Sequence, residues 1–140
     1  MTDSQAKQIA ELLNENNQLI INYQASDILR NSTEYVFVED SGVIVSCAQL
    51  KKVQWYQWEI CHVSVRNEGH GLGKQIISIA EELAIRNGAK IIQCTIRAQN
   101  MRSVKLFTLN GYVKTSNFFY PNSGNQVNVY QKSLFNMDIT

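Results

Sequence analysis

Between two runs of strand-forming residues, about Tyr56 to Val65 and Lys90 to Ile96, the chain places Gly69-His70-Gly71-Leu72-Gly73 and then an apolar stripe at helical spacing. Ile76, Ile79, Ala80, Leu83 and Ala84 recur at the three- and four-residue steps that line up one face of a helix. Arg86 falls in its last turn, and Asn87-Gly88 supplies the stop. Strand, helix and strand at this spacing predict a β-α-β unit. Its strands run parallel, because a helical crossover returns the chain to its starting edge. No all-helical or all-antiparallel fold accommodates that segment.

The flanking sequence adds to both sides. Asp3 or Ser4 is expected to cap a first helix carrying Ile9, Leu12 and Leu13 on one face, with Asn14 to Asn17 as its break. A short second helix fits Ala25 to Arg30. Tyr35-Val36-Phe37-Val38 and Val43-Ile44-Val45 are β-branched and aromatic, joined by the turn residues Glu39-Asp40-Ser41-Gly42, which predicts a hairpin. Lys51-Lys52 reads as a polar break before the third strand. A further helix fits Met101 to Leu109 and stops at Asn110-Gly111. Two last strands are expected over Tyr112 to Tyr120 and Val127 to Lys132, joined through Pro121-Asn122-Ser123-Gly124. The expected architecture is a mixed α/β (α+β) sheet: an antiparallel meander joined to a parallel strand pair, flanked by helices. With 140 residues, no linker and no repeat, residues 1–140 are expected to form a single domain.

Composition narrows the partners. Thirteen Lys and Arg nearly balance twelve Asp and Glu, a net charge of +1. Such a balance argues against a broad electrostatic grip on nucleic acid or on an anionic membrane. Cys47, Cys61 and Cys94 lie inside apolar runs without paired ligand spacing, so no metal is expected, and the odd count leaves at least one thiol free in a monomer. Reduced thiols, the absence of a basic-then-apolar leader, and apolar runs well short of a membrane helix lead to the expectation of a cytoplasmic protein.

The glycine loop carries the chemistry. Gly71 and Gly73 sit where a strand enters a helix. Glycine there permits a tight turn and a close approach of a ligand to the main chain. The first helical amides lack intrahelical acceptors and lie at the positive end of the dipole, a ready anion site. Two common phosphate loops do not fit. A Walker A loop needs Gly at the place of Glu68 and Ser or Thr at the place of Gln75, and a dinucleotide fingerprint starting at Gly69 needs Gly or Ala where Lys74 stands.

Two stretches resemble the GNAT acetyltransferase superfamily. Val63-Ser64-Val65-Arg66-Asn67-Glu68-Gly69-His70-Gly71-Leu72-Gly73-Lys74 is similar to the family's coenzyme A loop and the strand before it. Asn100-Met101-Arg102-Ser103-Val104-Lys105-Leu106-Phe107, followed by Gly111-Tyr112, is similar to the family's Asn-x-x-Ala/Ser-x-x-Leu/Phe-Tyr-x-x-x-Gly-Phe helix. The match covers roughly the second half of the chain, and the family's usual first strand has no clear counterpart. The resemblance implies parallel strands that splay apart and acetyl-CoA as acetyl donor. It implies a coenzyme A site drawn from Val63 and Val65 on the strand, from Glu68, Gly69, His70, Gly71, Leu72, Gly73 and Lys74 in the loop, and from Asn100, Ser103 and Phe107 on the later helix. The backbone N–H near Val63 would polarise the thioester carbonyl. The sequence departs from the pattern twice. Glu68 stands where the family usually has Arg or Gln, with Arg66 or Lys74 as its possible counter-charge. Phe107 stands where many members carry the tyrosine that protonates the departing thiolate.

An attacking amine is mostly protonated at neutral pH and needs a base. Glu59 is the first candidate. It lies four residues before Val63, where several small-amine members of the family carry a proposed base. Strict alternation puts Glu59, Cys61 and Val63 on one strand face and Trp58, Ile60 and His62 on the other, unless a bulge near Val63 alters the parity. His62 is an alternative base, and otherwise a structural strand histidine. Cys61 and Cys94 read as small core residues. Tyr112 and Tyr120 are weighed as substitute acids, against packing in the core and at a strand end. Trp55, Tyr56 and Trp58 read as a pocket lining, a dimer contact or plain sheet packing. The expected function is transfer of an acetyl group from acetyl-CoA to a primary amine of a small molecule or protein, with a homodimer possible. The alternatives are a non-catalytic module that binds coenzyme A or acyl-CoA, and an unrelated interaction domain.

Overall fold

Helix α1 (Asp3–Asn16) begins at Thr2, not at Asp3 or Ser4. The Thr2 hydroxyl accepts from the Gln5 amide at 3.1 Å, and the Gln5 side chain accepts from the Thr2 amide at 2.8 Å. This capping box satisfies two amides that the first turn leaves without partners. The computed structural model describes residues 1–17, 19 and 21–134. In the order of the chain the elements after α1 are α2 (Ala25–Arg30), β1 (Tyr35–Asp40), β2 (Val43–Lys52), β3 (Gln57–Val65), α3 (Leu72–Arg86), β4 (Ile91–Arg97), α4 (Met101–Leu109), β5 (Val113–Tyr120) and β6 (Asn125–Ser133), with a short 3-10 turn, Ser32–Glu34, before β1. Helix precedes the first strand among the described residues, as expected from the missing counterpart of the family's first strand.

Two boundaries differ from the expected ones. Helix α1 continues through Asn14 and Asn16: Asn14 bonds outside the helix, to Tyr23 O, and Asn16 Nδ2 bonds back to Leu12 O one turn earlier. Strand β2 runs through Lys51 and Lys52, whose side chains are exposed. A strand needs only one covered face, so the polar pair does not end it.

The strands form one six-stranded sheet in the order β1-β2-β3-β4-β6-β5. β1 pairs antiparallel with β2, with an irregularity between Val38 and Glu39. β3 pairs parallel with β4 through Gln57↔Ile91, Trp58↔Ile92 and Glu59↔Gln93, and β6 runs antiparallel between β4 and β5. The mixed α/β sheet with its antiparallel strands, single parallel pair and flanking helices is the architecture expected from the sequence.

The chain divides into two compact units, Met1–Lys51 with Ile60–Ala80, and Lys52–Glu59 with Glu81–Thr140. It passes between them inside β3 and inside α3. In the first unit, Ala6, Ile9, Leu12 and Leu13 of α1 bury against Ile28, Tyr35, Ile44 and Cys47, with Tyr23 and Phe37 packed on the cluster. Each fully buried Leu or Ile there is worth roughly 1.5–3 kcal/mol relative to exposure.

In the second unit, both helical exits use the same device. Gly88 (φ 88°) follows α3, with Ala89 N donating to Ala84 O and Gly88 N to Ile85 O. Gly111 (φ 92°) follows α4, with Tyr112 N donating to Phe107 O and Gly111 N to Thr108 O. These are Schellman stops, in which only a residue at ease with positive φ turns the chain back over its last carbonyls. Phe107 and Tyr112 make the apolar contact that accompanies such a stop. Their rings meet edge to face at 4.9 Å.

Candidate active site

In the first unit, β3 leads into the glycine loop. His62 lies within the strand at φ 54°, a left-handed conformation that histidine adopts uncommonly. Val63 and Val65 are half-buried and Ser64 is buried. Arg66 then anchors the strand's exit: its amide donates to Val45 O at 2.8 Å and its Nε to Ile44 O at 3.0 Å. The guanidinium is thus held on β2 through Nε.

Residues Arg66 to Gly71 are exposed, and Gly69 (φ 80°) and Gly71 (φ 73°) both take the left-handed region. The Gly71 carbonyl receives the first helical hydrogen bond of α3, from Gln75 N at 3.1 Å. Leu72, Gly73 and Lys74 therefore supply the opening amides of the helix, which have no carbonyl four residues back to bind. Lys74 adds an exposed cation to that positive end. Glu68 and His70 are also exposed on this loop. The donor set suits a phosphate-bearing ligand, and a Cβ placed on Gly69 or Gly71 would meet nothing within 4 Å, so the loop surface is open.

In the second unit, Glu59 closes a ladder of side-chain amides. Gln57 Nε2 and Gln131 Nε2 donate to Gln93 Oε1 at 3.0 and 2.9 Å, and Gln93 Nε2 donates to Glu59 Oε1 at 3.2 Å. The register explains it, since Glu59 lies opposite Gln93 and Gln93 opposite Gln131. Glu59 is half-buried, and the Gln93 amide orients its carboxylate. Glu59 stands out in the sequence, whereas the glutamines that hold it do not. Their only signal is a polar residue at matched places on three strands.

Asn100 caps α4, its Oδ1 accepting from Ser103 N at 3.3 Å. That bond uses the carbonyl side of the amide, so the Nδ2 side is what Asn100 can offer to a ligand. Ser103 is half-buried. Phe107 is buried at 4% exposure and packs on Tyr112 as part of the helix stop, which accounts for an apolar ring at that position. Tyr112 is equally a core residue, and its hydroxyl donates to Glu81. Tyr120 sits exposed at the β5–β6 turn and Trp55 is exposed, its ring edge-on to Tyr56 at 5.1 Å. Trp58 is half-buried with its Nε1 enclosed.

The strand, loop and helix carrying these residues lie within a matched region. The model of the acetyltransferase (GNAT) family matches residues 5–112. The chain belongs to the GNAT acetyltransferase family. Solved structures agree on the fold. An N-acetyltransferase from Staphylococcus aureus superposes with a TM-score of 0.82 at 14% identity, over 96% of each chain. YncA from Salmonella typhimurium, solved with its cofactor acetyl-CoA, gives 0.81 at 16% identity over 96% of this chain and 91% of that one. A ribosomal-protein-alanine N-acetyltransferase from Brucella melitensis gives 0.78 at 17% identity over 95% and 96%. Comparison with curated protein sequences gave no match. Among the described residues no cluster of His, Cys, Asp and Glu could hold a metal ion, and no helix is long and apolar enough to cross a membrane.

Proposed function

We propose that the chain acts as one acyltransferase domain that moves an acetyl group from acetyl-CoA to a primary amine, by direct transfer while both substrates are bound. The observation that carries this is the junction of β3 and α3 in a GNAT chain: two left-handed glycines, an open surface, and the opening amides of Leu72, Gly73 and Lys74 at the positive end of the helix. Those amides and Lys74 hold the donor's pyrophosphate, with Gly69, His70 and Gly71 shaping the approach. Glu68 tolerates that anion because backbone donors outnumber it. Val63 and Val65 offer main-chain groups to the donor's arm, and the N–H near Val63 draws electron density from the thioester carbonyl. Asn100 and Ser103 are the polar groups of α4 that the resemblance assigns to the donor.

Glu59 is assigned as the base that takes a proton from the incoming ammonium. A half-buried carboxylate oriented by a neutral amide suits that role. The acceptor class is a small-molecule or protein amine. Cys47, Cys61 and Cys94 form no disulfide, which suits a reducing compartment such as the cytoplasm. The buried Phe107 supports a second reading, a GNAT-like module that binds acyl-CoA without turnover, because no acid stands at that position.

Thermal unfolding with and without acetyl-CoA is the first test. Ligand at about 100 times its dissociation constant adds about 2.7 kcal/mol and raises Tm by several degrees. Release of free thiol is then followed with a panel of polyamines, aminoglycosides, amino acids and short peptides with free α-amines. A Tm shift with turnover supports the enzyme. A shift without turnover on any amine supports the binding module, and no shift overturns both.

A further inference from the structure

An ammonium group becomes an amide by losing two protons, one before attack and one from the nitrogen once it has bonded to the acetyl carbon. Glu59 accounts for the first. The first unit holds a second set of acid–base groups that this role does not use. Tyr23 Oη and His62 Nε2 lie 3.3 Å apart, with their rings edge to face at 5.7 Å. The end of α1 holds both residues. Asn14 brackets the Tyr23 backbone, donating to its carbonyl at 2.9 Å and accepting from its amide at 2.8 Å. Asn17 donates to Ser64 Oγ at 2.9 Å, and that hydroxyl donates to the His62 carbonyl at 2.9 Å.

One further observation marks this cluster as more than packing. His62 is kept at φ 54° within a strand, a costly conformation that survives only where the surroundings enforce it. Tyr35, buried in the same cluster, interacts with the Tyr23 hydroxyl. The other titratable groups around the two tyrosines are Lys51, Cys61, Asp27, Glu34 and Cys47. Burial raises the pKa of Tyr23, with Lys51 and the Tyr35 hydroxyl partly opposing and Cys61 and Asp27 adding to it, so it stays a phenol at neutral pH and has a proton to pass on.

Resting on the acyltransferase reading, we propose that Tyr23 and His62 are the acid–base pair that removes the second proton. As the new C–N bond forms and the C–S bond breaks, the nitrogen's proton passes to Tyr23 Oη while the Tyr23 proton passes to His62 Nε2. The coenzyme leaves as the thiolate, Tyr23 ends with the proton count it began with, and the imidazolium formed at His62 releases its proton to solvent.

The test compares the intact chain with Tyr23→Phe and His62→Asn, using acetyl-CoA and the panel amine that the wild type turns over. Asparagine tolerates positive φ better than most residues, so the second variant keeps the backbone of β3. Loss of a general base lowers kcat by about 10²-fold or more in each variant, and the double variant is no worse than the poorer single one. The wild-type kcat falls as pH drops through the histidine range, about 6.5 when unperturbed, and that limb is missing from His62→Asn. The Tm shift with acetyl-CoA is the same in all three proteins.

Variants that keep kcat within about threefold and keep the acidic limb overturn the pair while leaving the acyltransferase intact. Absence of the acetyl-CoA shift in the wild type instead overturns the acyltransferase, and the pair with it. Imidazole NMR adds a readout that needs no acceptor. The His62 Nε2 signal moves in Tyr23→Phe, whereas an Nε2 signal that the substitution leaves in place overturns the proposal.

Discussion

Tyr112 donates its phenolic proton to Glu81 Oε2 at 2.8 Å, and Lys132 Nζ reaches the same carboxylate at 3.1 and 3.2 Å. Lys132 also lies 5.7 Å from the centre of the Tyr112 ring. Three elements meet there: α3 through Glu81, β6 through Lys132, and the stop of α4 through Tyr112. Replacing Tyr112 by Phe keeps the ring and its contact with Phe107 and removes only the hydrogen bond to a charged group. The expected loss is about 1.5–3 kcal/mol, read from urea unfolding at neutral pH. A loss below about 0.5 kcal/mol would mean that Lys132 alone satisfies Glu81.

Alkaline pH should unfold this protein through its buried acids. Burial pushes the Cys47 thiol up to about 12 from an ordinary 9.0, with Arg66 partly opposing. Burial, and then the Glu81 charge and hydrogen bond, raise Tyr112 as well. A raised folded-state pKa gives stability that is whole below the unfolded pKa and is lost as pH climbs towards the folded one. Stability should therefore hold up to about pH 9 and fall from there to about pH 12. Cys47→Ala should flatten part of that fall, and unfolding curves at stepped pH would show it.

Gly71→Ala separates backbone strain from steric fit. The added methyl meets nothing within 4 Å, but φ is 73°. The stability cost should be about 1–2 kcal/mol, that of a left-handed alanine. The acetyl-CoA Tm shift should shrink with it, because the loop's amides would turn. A full shift in a destabilised variant would take the phosphate site away from this loop.

Glu59→Gln keeps a side chain for Gln93 to bond and removes the base. Turnover should fall by roughly 10²–10⁴ with little change in acetyl-CoA affinity. Stopped-time thiol release and a parallel Tm shift would measure the two separately. Unchanged turnover across pH would remove Glu59 from the chemistry.

Much of this fold was legible because its signals are local. Helical spacing from Ile76 to Ala84, the stops at Asn87-Gly88 and Asn110-Gly111, and the turn at Ser41-Gly42 each depend on residues a few positions apart. The glycine loop was legible for the same reason. The errors were also local. Thr2 caps α1 because Gln5 completes its box, and Lys51-Lys52 stays in a strand that needs only one covered face. The role of Asn14 and Asn17 was not legible. Read in sequence they interrupt a helix; in the structure they hold Tyr23 and Ser64, and Ser64 lies far along the chain.

The sequence alone determined the order of elements, the helix stops and the anion-ready junction of strand and helix, since propensity, spacing and glycine act within one or two turns. Only the tertiary structure decided which polar groups meet. The Glu59–Gln93–Gln131 ladder depends on strand register, the Tyr23–His62 pair on a left-handed residue inside β3, and the Glu81 cluster on three elements converging. A hydrogen bond reaches about 3 Å. Residues tens of positions apart come within that reach only after the core has packed.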